Sequence, residues 1–151
     1  MSESPPGLLL DMMLGKLGTY LRMCGYDAAY AKNRDVQSDE AIVALAETEG
    51  RTILTRSRSL AERAGDAVLI ESRDTVDQLR ELQAAGYDLT LDDEPSRCGA
   101  CNAPVTRVAP EEPTPEYVPD GDEPVWRCRE CGQHFWRGSH WADVAETLAS
   151  L

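Results

Sequence analysis

From residue 8 to residue 91 the chain repeats one pattern: a short apolar run, then a stretch whose apolar residues return every three or four positions. The first kind suits a strand buried on both faces, the second one face of a helix. "LLLD" (8–11) is the first predicted strand, and Leu14, Leu17, Leu21 and Cys24 mark a helix closed by Gly25. "DAAYA" (27–31) is a weaker second strand. Ser38 opens a helix carrying Ile42, Leu45 and Ala46, which Gly50 stops. "TILT" (52–55) and "AVLI" (67–70) are the third and fourth strands. Between them, the spacing of Ser59 and Glu62 predicts a capping box for a short helix; after them, Val76, Leu79 and Leu82 mark a helix ending at Gly86.

Strands alternating with helices imply right-handed crossovers and a mainly parallel sheet flanked by helices, an α/β fold. In such sheets the ligand crevice lies beyond the carboxyl ends of the strands. Asp11, the pair Asp39 and Glu40, Thr55 to Arg58, and Glu71 to Asp74 each follow one of the four strands. The pattern therefore predicts that all four groups share one rim.

After "LDDEPS" (91–96), a polar linker, the pattern changes: four of the five cysteines and all three tryptophans lie beyond it. The chain is read as two parts, 1–93 and 94–151, the second ending in a helix. "RCGAC" (97–101) and "RCREC" (127–131) set two C-x-x-C pairs 26 residues apart. Such pairs can turn four sulfurs, those of Cys98, Cys101, Cys128 and Cys131, onto one tetrahedral Zn2+ at about 2.3 Å. Gly99 and Gly132 are placed to ease the two turns. A closed four-thiolate zinc ribbon leaves no coordination position for catalysis, and its metal holds together a segment poor in aliphatic residues. The acidic, proline-rich "APEEPTPEYVPDGDEP" (109–124) is then the exposed loop between the cysteine pairs.

Cys24 lies on an apolar helix face with no histidine near it in sequence and is read as core. His134 and His140 are spare ligands once the thiolates are counted. "WRGSHW" (136–141) admits two readings: a platform for unpaired bases, or a plug that docks the ribbon onto the first part.

Charge narrows the partners. The chain carries 27 acidic residues against 15 basic ones, a net charge of −12, and Lys16 and Lys32 are its only lysines. Such a surface suits a halophilic protein, whose salt-rich cytoplasm screens self-repulsion, and equally an ordinary acidic one. Either way it excludes broad attraction to nucleic acid, so contact with RNA has to come from local arginines. No apolar run approaches the roughly 20 residues of a membrane span, and "MSESPPG" lacks the basic start and apolar stretch of a leader, so a cytoplasmic location is expected.

Asp11, Asp39 and Glu40 are hard oxygen ligands suited to Mg2+ or Mn2+. An ion there can activate water and neutralise a phosphodiester while Arg56 and Arg58 grip neighbouring phosphates. Plainer explanations compete: Asp39 and Glu40 favour the positive end of their helix, Asp74 can cap the next one, and arginines after a strand can simply be solvated. Asp11 is harder to explain away, because a carboxylate completing an apolar strand needs a partner if buried.

"LLLDMMLGKLGTYLRMCGYDAAYA", "SDEAIVALAETEGRTILTRSRSLAERA", "QLREL", the cysteine pairs and "WRGSHW", in this order, resemble the Mut-7 C-terminal RNase domain family over about Leu8 to Trp141. The resemblance implies a PIN-like RNase domain followed by a zinc ribbon, in which a few acids hold a divalent ion for RNA hydrolysis. By position, Asp11 matches the family's first acid, and Asp39, with Glu40 beside it, the second. Where the family usually reads Thr-Arg-Asp after the third strand, this chain has Thr55, Arg56 and Ser57, so the third acid is absent.

Two functions follow as expectations. The first is a metal-dependent ribonuclease acting on single-stranded RNA, with Asp11, Asp39 and Glu40 at the ion and Lys16, Arg56, Ser57 and Arg58 at the substrate. The second is a catalytically degenerate RNA-binding or adaptor protein that keeps fold and ribbon, with the ribbon as a docking surface for a protein partner.

Overall fold

The computed structural model describes residues 7–65, 67–92, 94–119 and 123–151. Residues 1–6, on which most of the leader reading rests, lie outside the described residues, as do Asp93 of the linker and residues 120–122 of the acidic loop. The four apolar runs are strands β1 (Leu8–Leu10), β2 (Ala28–Tyr30), β3 (Thr52–Thr55) and β4 (Val68–Leu69). They pair in parallel in the order β2-β1-β3-β4.

Side chains alternate across this sheet as the pleat requires. Leu8, Leu10, Ala28 and Leu54 join one apolar cluster with Leu17 and Leu21 of α1 (Gly15–Met23) and Leu79 and Leu82 of α4 (Thr75–Ala84). Leu9, Ala29 and Ile53 face the other way, onto Ile42 and Ala46 of α2 (Asp39–Glu49) and Leu60 of α3 (Arg58–Ala64). The sheet thus lies between two helical layers, and its strands read as unbroken apolar runs because both faces are covered.

Helix boundaries follow local chemistry. The Ser38 hydroxyl accepts from the Ala41 N–H, Asp74 accepts from the Asp77 N–H, and Gly50 takes the left-handed conformation that ends α2. The start of α3 differs from expectation. Its N-cap is Ser57, not Ser59, and the Ser57 hydroxyl accepts from the Leu60 N–H. The reason lies in β3: the Thr55 hydroxyl accepts from the Ser57 N–H at 2.9 Å and turns the chain into the helix two residues early.

Beyond the linker, β5 (Val105–Arg107), β6 (Val125–Cys128) and β7 (His134–Trp136) form an antiparallel sheet in that order. The last helix, α5 (Ser139–Ala149), buries Val144 and Leu148 in the α1–α4 cluster of the first sheet. Arg22, buried in α1, adds a polar tie, donating to the carbonyls of Ala28 and Gly99 at 2.8 Å each. Among the described residues no helix is long and apolar enough to cross a membrane.

Candidate metal centre and carboxyl-edge site

Strand order turns at the β1–β3 pair, since β2 lies on one side of β1 and β3 on the other. At such a point crossovers leave in opposite directions and a crevice opens at the carboxyl ends. Asp11 is the first residue past β1, and Thr55 ends β3. The Asp11 N–H donates to the Leu54 carbonyl at 2.9 Å, which fixes the backbone beside β3. One carboxylate oxygen accepts the Thr55 hydroxyl at 2.6 Å, the other the Met12 N–H at 2.7 Å. Thr55 is fully buried and also accepts from Ser57, so its single proton is committed to Asp11.

From there the rim continues through hydroxyls. Ser57 Oγ lies 3.2 Å from Ser59 Oγ, and Ser59 Oγ donates to Asp39 at 3.5 Å. Asp11 and Asp39 therefore stand at two ends of one edge lined by Thr55, Ser57 and Ser59. Glu40 and Lys16 are exposed in the first turns of α2 and α1. Arg58 is exposed and pairs loosely with Glu71 at 3.7 Å. Arg56 is half-buried, and its Nε has no hydrogen-bond partner among the described residues. Asp74 is occupied as the α4 cap.

Glu81 is a rim residue that periodicity did not single out. It accepts from the N–H groups of Glu71 and Ser72 at 3.0 and 2.9 Å and so shapes the turn after β4. Burial opposes its ionisation, but these hydrogen bonds and the nearby Arg56 hold its carboxyl below the usual range. A helical Glu ten residues past a turn reads in sequence as a solvated surface residue, so no signal pointed to it.

Cys98, Cys101, Cys128 and Cys131 bring their sulfurs within 4.8 Å of one another, and the four could bind a zinc ion. Cys98 and Cys131 are 3.6 Å apart, Cys101 and Cys128 3.4 Å. Both separations are far longer than a disulfide at about 2.05 Å. They lie near the edge, about 3.8 Å, of a tetrahedron with 2.3 Å metal–sulfur bonds. Burial disfavours the Cys128 thiolate, yet the N–H groups of Cys131 and Glu130 outweigh it and pull that thiol down to about 7. Burial pushes Cys98 up to about 12, beyond what its own N–H contacts offset. A dication among the four would favour the thiolate form throughout.

The turns of the two cysteine pairs correct one expectation. The residues in the left-handed region are Asn102 (φ 74°) and Gly132 (φ 77°), each directly after a second cysteine; Gly99 is not among them. The Gly99 carbonyl instead accepts from Thr19 and Arg22 of α1. Asn102 does more than turn. Its Oδ1 accepts from the Ala28 N–H at 2.9 Å and its Nδ2 donates to Asp27 at 2.7 Å, tying the first cysteine pair to β2. Burial raises the Asp27 carboxyl, but hydrogen bonds from Arg51 and Asn102 outweigh it and hold the group below the usual carboxylate range.

The remaining candidates separate cleanly. Cys24 packs against the α1–α4 cluster, and burial followed by the charges of Asp92 and Asp88 pushes its thiol up to about 12, as suits a core residue. His134 is buried against Tyr117, whose hydroxyl accepts its N–H at 3.1 Å, and stands outside the cysteine group. Trp136, His140 and Trp141 line a cleft facing α1. Among the described residues, the only group of three or more acidic, cysteine or histidine ligand atoms this close is the cysteine quartet, so Asp11, Asp39 and Glu40 do not close into a cage.

The family model for the Mut7-C RNAse domain matches residues 6–148 of the chain. No curated protein and no solved structure matches it.

Proposed function

Because the chain belongs to the Mut7-C RNAse domain family, we propose that it is a metal-dependent ribonuclease with a PIN-like first part, acting on single-stranded RNA at the carboxyl edge of its parallel sheet. The observation that carries this reading is the Asp11–Thr55 pair at the point where strand order turns. Asp11 and Asp39 would hold a Mg2+ or Mn2+ ion, with Glu40 adding negative charge beside Asp39. Such ions are commonly bound by one or two carboxylates, with water and substrate phosphate completing the shell, so a three-acid cage is not needed. When bound, the ion supplies a Lewis acid for water and phosphodiester.

The chain's own residues supply position. Thr55 fixes the Asp11 carboxylate through one oxygen and leaves further lone pairs for the crevice. Arg56, Arg58 and Lys16 hold phosphates where the net charge of −12 otherwise repels them. Ser57, where the family usually has an acid, caps α3 and offers only a hydroxyl oxygen, which weakens the ion site. The four-cysteine zinc is structural, and parts 1–93 and 94–151 work as one body in the cytoplasm.

The missing third acid favours a second reading, an RNA-binding or adaptor protein that holds RNA without cutting it and presents its ribbon to a protein partner. Incubation of labelled single-stranded RNA with Mn2+, at low and at molar salt, separates the two. Cleavage by the native protein should fall on the order of a hundred-fold in Asp11→Asn, as loss of a metal-positioning charge implies. Equal cleavage by the variant contradicts the enzyme, and binding without any cleavage selects the adaptor. Activity that persists in molar salt fits the halophilic reading.

A further inference from the structure

We propose that the cleft between α1 and the ribbon is a stacking site for an unpaired nucleobase, a subsite that rests on the reading of RNA as substrate. The cleft encloses about 90 Å3 and is walled by Thr19 and Met23 of α1, Phe135 and Trp136 of β7, and His140 and Trp141 of α5.

The two indoles are not the ribbon's only tie to the first sheet. The ribbon is joined to the first sheet by Val144, Leu148, Arg22 and Asn102, and both tryptophans stay half-buried against the cleft. Trp136 is nevertheless held in place. Tyr117 packs on it with ring centroids 6.1 Å apart, and a Cβ at Gly138 would lie 2.5 Å from the indole nitrogen. Glycine at 138 is what leaves room for the ring where it sits.

The lining chooses among ligands. The lining is mainly apolar and aromatic, with Phe135, Trp136 and Trp141 around Met23 and exposed His140 at the edge, while Arg97 spends a guanidinium nitrogen on the Asn102 carbonyl at 3.0 Å. Aromatic faces of this kind match the flat face of an unpaired base. A chain of net charge −12 cannot draw RNA by general attraction, so stacking at a local patch adds to what the few local cations supply.

The cleft is also connected to the rim. Lys16, Thr19 and Met23 are spaced three and four residues apart and so share one stripe of α1. That stripe spans seven residue steps, about 10 Å of helix. It starts five residues after Asp11 and ends in the cleft, so one strand can place a phosphate at the rim and a base against the indoles.

The test is fluorescence anisotropy with a labelled octaadenylate RNA and with an octamer of abasic ribose phosphates of equal charge. Neither added divalent ion nor chelator is present, since a chelator would strip the cysteine site. The native protein should bind octaadenylate on the order of ten-fold more tightly than the abasic octamer, the value of a single base stack. Trp141→Ala should erase that difference, with circular dichroism and zinc content confirming its fold. His140→Glu, at an exposed position that folding tolerates, should weaken octaadenylate binding as well. Equal binding of the two octamers by the native protein, base preference that survives Trp141→Ala, or octaadenylate binding unchanged in His140→Glu overturns the proposal. Cleavage in Mn2+ is scored separately: base-dependent binding without cleavage ends the hydrolytic reading and keeps the cleft.

Discussion

Ser57 concentrates the question of activity in one side chain. Its hydroxyl caps α3 and touches Ser59, which in turn reaches Asp39, so it lies on the edge that joins the two acids. Aspartate is as good an N-cap as serine, so Ser57→Asp should fold without penalty while adding a charge to the edge. We expect it to raise Mn2+-dependent cleavage by on the order of ten-fold or more, as one more carboxylate on a hard cation implies. Unchanged cleavage in titrations of Mn2+ contradicts the view that the ion site is short of a ligand. At this scale the sequence was readable where chemistry is abrupt: Asp11 stands out as an acid ending an apolar strand. Glu81 did not, because its partners are backbone N–H groups that only the folded turn after β4 brings near.

Elements were legible where their period is clean. The four apolar runs became strands of one parallel sheet, and Ser38, Gly50 and Asp74 terminate helices as their types suggest. Two boundaries were not legible, since a tertiary contact decides each. The Thr55 hydroxyl moves the start of α3, and Asn102, not Gly99, takes the left-handed turn at the first cysteine pair. Asn102 joins β2 to that turn, so Asn102→Ala leaves the buried Ala28 N–H unsatisfied and forces alanine into a positive φ. Together these should cost about 2–4 kcal/mol in denaturant unfolding. Asn102→Gly keeps the turn and should cost about half as much. Two variants that unfold together with the native protein contradict a latch at this residue.

Across the whole molecule, the change of composition near residue 91 suggested two parts, yet α5 returns to the first core through Val144 and Leu148. Periodicity within α5 marks an apolar face but cannot say which sheet covers it. Because the parts share core and latch, removal of zinc by a chelator should lower the melting temperature of the chain as one cooperative transition. A ribbon that melts alone, while the parallel sheet keeps its melting temperature, contradicts that coupling. The central claim, a divalent ion at the carboxyl edge, is tested most directly by anomalous scattering from crystals soaked in Mn2+. The account predicts a peak at Asp11, on the edge that runs past Ser57 toward Asp39, lost in Asp11→Asn; a peak only at the four cysteines, with none at that edge, contradicts it.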